Sequence, residues 1–189
     1  MVISFQQTIV GRVGIAQCGD AITYLCFESE TVPQQAEIGE TELIREAFRQ
    51  IDAYLCGRLK VFSVPLAPLG TPFMQRVWQI LCTIPYGTTL TYRDVAVAAG
   101  NPFAARAVGM ANNRNPVPIF IPCHRVIGSN GALTGYRGGL KLKKALLKLE
   151  RAGLGYKFKN GIFHQDFQGS EQYNGGQFHE SYAAVIKEG

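Results

Sequence analysis

No apolar run in this 189-residue sequence approaches the ~18 to 20 residues that a membrane-spanning helix needs. The longest stretches, such as Val95 to Ala99 and Val117 to Cys123, fall far short, so no membrane partner is expected. The start, Met-Val-Ile-Ser-Phe followed by Gln6 and Gln7, lacks the basic end and unbroken apolar core of a secretory signal, which predicts a cytoplasmic location. The five cysteines, Cys18, Cys26, Cys56, Cys82 and Cys123, are odd in number and include no Cys-x-x-Cys pair. They frame no disulfide scaffold. There is no internal repeat, no phosphate-binding glycine loop and no cluster of metal ligands. With 47% hydrophobic and 17% charged residues, the chain is also neither disordered nor fibrous. Its length suits one ordinary domain or two small ones.

Acidic residues are scarce in one region only. Residues 1–70 carry five Lys/Arg against eight Asp/Glu, whereas residues 71–155 carry eleven against two, Asp94 and Glu150. Residues 156–189 return to near balance, with three against four. Such a concentration of positive charge suits a polyanionic partner, because phosphate contacts release counterions. The other reading is a solvated lysine face, with Lys141, Lys143, Lys144 and Lys148 on one side of a helix.

Short β-type runs fill residues 1–30, and Val13 to Ala16 and Ile22 to Phe27 form a hairpin around Gly19-Asp20. From Thr41 to Leu59 the apolar residues Leu43, Ile44, Ala47, Phe48, Ile51, Tyr54 and Leu55 recur at helical spacing. These elements make an α+β domain over 1–61. Pro65, Pro68, Gly70 and Pro72 mark a linker over 62–72. A second domain then spans 73–155, opening with a helix to about Thr83. Thr91 and Asp94 fit a capping box for a helix that ends at Gly100. Asn101 caps the next helix, with Pro102 in its first position and Phe103 to about Arg114 following. Two helices joined by a Gly-Asn turn are a helix-turn-helix candidate. The second is built of small residues around Arg106, which suits either close approach to a partner or tight packing on neighbours. Val117 to Ile121 reads as a buried strand that delivers Cys123 at its end. A final helix runs from about Leu140 to Arg151, and a polar, Gly-rich tail occupies 156–189.

Cys123-His124 pairs a thiol with an imidazole, and Arg125 stands next to them. That arrangement predicts a thiol pKa below ~8.5 and a nucleophile at neutral pH. The other four cysteines read as small hydrophobes.

Ile121-Pro122-Cys123-His124-Arg125-Val126 resembles the alkyl-acceptor motif of the O6-alkylguanine-DNA alkyltransferases, the methylated-DNA–protein-cysteine methyltransferases. The resemblance extends from about Thr71 to Gly153. It includes Gly70-Thr71-Pro72-Phe73, Trp78, Ile84-Pro85-Tyr86-Gly87-Thr88, Ala104-Ala105-Arg106-Ala107-Val108-Gly109, Asn115-Pro116 and Gly135-Tyr136-Arg137-Gly138-Gly139. It implies a ribonuclease-H-like α+β domain followed by a mainly helical, winged-helix-like domain. It also implies a cofactor-free repair protein, monomeric without DNA, acting once on O6-alkylguanine, or O4-alkylthymine, in double-stranded DNA. Cys123 would accept the alkyl group. His124, acting through a water and oriented by Glu150, would take the thiol proton, and Asn115 would brace the motif's turn. Tyr92 would donate to the departing base. Val126, Tyr136, Arg137 and Gly138 would wall the base pocket. Arg106 would fill the gap left by the extruded nucleotide, with Ala105, Gly109 and Arg125 also facing DNA.

The sequence departs from the family pattern where Met110 follows Gly109. No histidine precedes His124, so the N-terminal zinc site of some members is not expected. Two other classes compete. A non-catalytic lesion-binding relative would lack a nucleophile, and Cys123 is present. A thiol hydrolase built on Cys123 and His124 would leave the basic helix pair unexplained.

Overall fold

The computed structural model describes residues 1–28, 30, 36–152, 156–159 and 162–165. Strands β1 (Val2–Thr8), β2 (Gly11–Cys18) and β3 (Ala21–Phe27) form an antiparallel meander, and the short β4 (Glu37–Ile38) lies parallel to β1. The sheet order is β3-β2-β1-β4. Gly19, with φ at 59°, makes the tight reversal between β2 and β3 without a Cβ penalty.

Helix α1 (Glu42–Leu55) starts where the Thr41 hydroxyl accepts from the Ile44 amide at 3.1 Å. Its buried stripe of Ile44, Ala47, Phe48, Ile51, Tyr54 and Leu55 comes from the periodicity read in the sequence. The helix stops four residues before Leu59. Gly57 takes φ at 71°, and the amides of Cys56 and Arg58 turn back onto the carbonyls of Asp52 and Ala53. In the segment 62–72, Ile22 donates to the Pro65 carbonyl at 2.9 Å and accepts from the Ala67 amide at 3.0 Å. Part of that stretch therefore borders the sheet.

Among the described residues, the helices that follow are α2 (Pro72–Thr83), α3 (Tyr92–Ala98), α4 (Ala105–Asn113) and α5 (Gly139–Ala152). A two-residue strand, β5 (Leu90–Thr91), pairs parallel with β6 (Val126–Ile127). The Thr91–Asp94 capping box is formed in both directions. Trp78 Nε1 donates to the Ala111 carbonyl at 2.9 Å and ties α2 to α4. Buried side chains of α1, α2, the 117–126 stretch and α5 form one continuous core. Beyond α5, β7 (Tyr156–Lys159) and β8 (Ile162–Gln165) pair antiparallel. The glycines of the tail, Gly169, Gly175 and Gly176, lie outside the described residues. Among the described residues no helix is long and apolar enough to cross a membrane.

Two local expectations fail for identifiable reasons. Asn101 does not cap α4. Its Oδ1 accepts from the Phe103 amide at 3.0 Å and its carbonyl from the Ala104 amide at 3.0 Å, so 101–104 is a separate turn and α4 begins at Ala105. Val117 to Ile121 is buried but is not a strand. Ile119 sits at φ 75°, and Ile121 donates back to the Val117 carbonyl at 3.0 Å. A β-branched residue in the left-handed region is strained, at roughly 1–3 kcal/mol. Apolar β-branched runs look extended in sequence, yet here the surrounding packing imposes a loop.

Candidate active site

Cys123 lies in a 3-10 turn, Cys123–Arg125, directly after the strained loop. Asn115 is fully buried and holds that loop from inside. Its Oδ1 accepts from the Val117 amide at 3.0 Å, and its Nδ2 donates to the Ile121 carbonyl at 2.9 Å and to Cys123 Sγ at 3.2 Å. Burial pushes the Cys123 thiol up, and the Asn115 hydrogen bond and the Lys143 charge only partly oppose it. The expectation of a lowered thiol pKa is therefore corrected. At rest the group is a protonated thiol that needs a base, because a buried sulfur gains little from distant charge.

Arg125 cannot supply that charge. It was expected to face DNA, but it is buried and directed the other way. Its Nε and Nη2 donate to the Glu150 carboxylate at 2.9–3.1 Å, and its Nη1 to the Ile84 carbonyl at 2.6 Å. Glu150 also accepts from the Gly87 amide at 3.0 Å. Burial alone would raise the Glu150 carboxyl, yet hydrogen bonds and charge from His124 and Arg125 hold it down at about 2.

His124 is fully buried, with Nε2 2.9 Å from Glu150 Oε1 and 3.1 Å from the Tyr54 hydroxyl. Tyr54 in turn donates to Glu150 Oε1 at 2.5 Å. With Glu150 and Tyr54 both able to accept from Nε2–H, the favoured tautomer leaves Nδ1 as a bare acceptor. That Nδ1 is buried without a protein partner among the described residues. Burial pushes the His124 pKa below 6.5 despite Glu150, so the ring is a free base at neutral pH. Tyr54 was not among the candidate residues. It comes from α1, 70 residues before His124, and read in the sequence only as one apolar position of a helix.

Lys143 was read as part of a solvated face, and the structure corrects this. Lys141, Lys144 and Lys148 are exposed, but Lys143 shares the buried face of α5 with Leu146, Leu147 and Glu150. Its Nζ donates to the carbonyls of Val126 at 2.7 Å, Thr134 at 2.8 Å and Gly135 at 3.5 Å. It thereby gathers the loop that follows the cysteine motif. Lys143→Met should leave those carbonyls bare and destabilise the protein by about 1–3 kcal/mol, read from the urea midpoint.

The same loop is tied from other sides. Tyr92, at the start of α3, donates to the Thr134 carbonyl at 3.3 Å and accepts from the Thr134 hydroxyl at 3.1 Å. Arg137 donates to the Asn115 carbonyl at 2.8 Å, to Glu30 at 2.7 and 2.9 Å, and to the Tyr24 hydroxyl at 3.0 Å. Its side chain thus links the loop to β3 and the segment after it. Gly138 packs tightly, since a Cβ there would fall 2.6 Å from Leu142 Cδ2 and 3.0 Å from the Phe27 ring, so a larger residue would push the Leu142 side chain aside. The Tyr136 ring stands edge-on to His124 at 6.4 Å, and its buried hydroxyl has no partner among the described residues. Val126 is wholly buried in β6. In α4, Ala105 is half-buried, Arg106 is exposed, and a Cβ on Gly109 would meet the Tyr92 ring at 3.8 Å.

The asparagine, thiol, imidazole and carboxylate are therefore all buried and tied by hydrogen bonds to the cysteine motif and to each other's neighbours, while Arg106 is exposed on α4. Among the described residues no group of three His, Cys, Asp or Glu side chains could hold a metal ion.

Two family models match the chain: the 6-O-methylguanine DNA methyltransferase ribonuclease-like domain over 1–68 and the DNA-binding domain of the same family over 72–152. A methylated-DNA–protein-cysteine methyltransferase of Methanosarcina acetivorans is 61% identical over 144 residues, covering 75% of this chain and 92% of the relative. The constitutive protein of that name from Bacillus subtilis is 48% identical over 160 residues, 81% of this chain and 96% of its own. Among solved structures, Mycobacterium tuberculosis OGT in complex with DNA matches with a TM-score of 0.76 and 42% identity, covering 80% of this chain and 94% of that one. The expected two-domain architecture agrees with these matches. By sequence, architecture and motif, the chain belongs to the 6-O-methylguanine DNA methyltransferase family.

Proposed function

We propose that the protein repairs double-stranded DNA by moving an alkyl group from O6 of guanine, or O4 of thymine, to Cys123 Sγ in a single turnover. The carbon–oxygen bond to the base breaks as the sulfur–carbon bond forms. The thiol proton passes through one water to His124 Nδ1, and Glu150 stabilises the imidazolium that results. Tyr92 donates to the departing base, whose developing negative charge needs a proton or a hydrogen bond. Asn115 holds the sulfur, and Tyr136, Val126, Arg137 and Gly138 shape the base pocket and its loop. Arg106 fills the gap in the duplex, with Ala105 and Gly109 permitting close approach of α4.

The observation that carries this reading is the buried His124, held by Glu150 through Nε2 with its other nitrogen unpartnered among the described residues, next in sequence to a buried thiol. A thiol so deep can meet an alkyl group only if the nucleotide leaves the stack. We divide the chain accordingly into an N-terminal domain over 1–61, a linker over 62–72 and an alkyl-acceptor domain over 73–155. We place it in the cytoplasm as a monomer when free of DNA, working without a cofactor.

A thioether is a poor electrophile, so nothing in this scheme removes the alkyl group again. With excess O6-methylguanine duplex, transfer should plateau at one group per molecule. Sustained turnover beyond one equivalent would refute the scheme.

A further inference from the structure

The turn leading into α4 carries an anomaly that the catalytic scheme does not use. Phe103 is 94% exposed, more than any other large hydrophobic among the described residues. A single exposed apolar side chain is ordinary on a folded surface, so the ring gains meaning only from its setting. The ring is not on a loose segment. Gly100, at φ 87°, turns the chain, and the two hydrogen bonds that Asn101 accepts fix the backbone on either side of Phe103.

Three residues further lies Arg106, and four beyond that Met110, which is 55% exposed. In α4, Arg106 and Met110 share the exposed face with Ala107 and Asn113, and the C-cap Arg114 is exposed beyond it, while Val108, Ala111 and Asn112 are buried. Between the projecting side chains stand Ala104, Ala105, Ala107 and Gly109, with Val108 buried. Phe103, Arg106 and Met110 are therefore the groups that reach out of an otherwise smooth ridge. No carboxylate lies in the turn or on α4, and Arg93 and Arg114 are exposed nearby. The carboxylate of Asp94 is engaged by Thr91. An apolar ring set in a field of one positive sign suits a polyanion with apolar interior faces, and Phe and Met are among the side chains that wedge between base steps.

We propose that Phe103 is an apolar wedge that enters the duplex at the base step beside the gap filled by Arg106, with Met110 lying against the groove behind it. The inference rests on the proposed repair function. It assigns the cost of unstacking to two groups: an arginine that replaces the lost base and a ring that covers the face of its neighbour.

The test measures affinity of the full chain for an O6-methylguanine duplex across a range of salt concentrations. Stacking of a base on an aromatic side chain corresponds to about 5- to 150-fold in affinity on alanine substitution. Phe103→Ala should lose affinity by such a factor while the slope against salt stays as in the wild type, because no phosphate contact is removed. Phe103→Trp should restore most of the affinity, and Met110→Ala should lose less than Phe103→Ala. Unchanged affinity in Phe103→Ala or a shallower salt slope would overturn the proposal. If affinity falls as described but no alkyl group is ever transferred, the wedge stands and the repair reading fails.

Discussion

Glu150→Gln should slow alkyl transfer by about 10²- to 10⁴-fold, the range a positioned general base contributes. It should also destabilise the fold by roughly 3–5 kcal/mol, the cost of leaving a buried ion without its partner. Both effects have one origin. The carboxylate holds His124 by Nε2 and also neutralises the buried guanidinium of Arg125, which has no other acid within reach among the described residues. Glutamine keeps the shape but loses the charge and turns one acceptor into a donor aimed at Arg125 or His124. The effect on stability depends on pH, with a definite sign. The carboxyl titrates at about 2 in the folded protein, against an ordinary value of 4.5. Its contribution is complete above 4.5 and is lost as pH falls from there toward 2. Urea unfolding across that interval should show the wild type converging on Glu150→Gln in acid. Equal stability of the two proteins at neutral pH would contradict the ion-pair account.

Arg106→Ala should divide two substrates. Repair within a duplex requires extrusion of the nucleotide, a step worth a few kcal/mol, whereas free O6-benzylguanine needs none. The rate on duplex should fall by about 30- to 1000-fold relative to the rate on the free base. Arg106 is exposed on α4, whereas His124, Glu150 and Cys123 are buried, so the fold and the thiol should be little affected. Equal losses on both substrates would remove its role in the duplex.

Local spacing made several elements readable in the sequence. Thr91 and Asp94 are three apart, and a capping box depends on nothing else. The stripe of α1 from Ile44 to Leu55 follows from helical period alone. What the sequence hid was set by distance or by direction. Tyr54 and His124 meet across 70 residues, and no local pattern announces that contact. Lys143 looks like its neighbours Lys141 and Lys144, but at 3.6 residues per turn it faces inward with Leu146, Leu147 and Glu150. A wheel that scores every lysine as polar sends it to solvent. Arg125 beside a nucleophile suggested a local cation, and its length instead carries it to Glu150. The loop from Val117 to Ile121 was misread because its residues favour strands, while Asn115 binds it from within into a conformation that no propensity describes. The thiol shift was misjudged for the same reason, since burial and not the neighbouring residue decides it. The motif residues were identified through their resemblance to a family, and their arrangement required coordinates.

The central claim is that one sulfur, Cys123 Sγ, takes the alkyl group and keeps it. Mass spectrometry of the protein after reaction with excess O6-methylguanine duplex tests it most directly. The account predicts one added methyl group, on the peptide that contains Cys123, and none on the other cysteines. It predicts further that Cys123→Ala binds the same duplex and gains no mass. A methyl group on another residue, more than one equivalent removed from DNA per molecule, or undiminished repair by Cys123→Ala would contradict it.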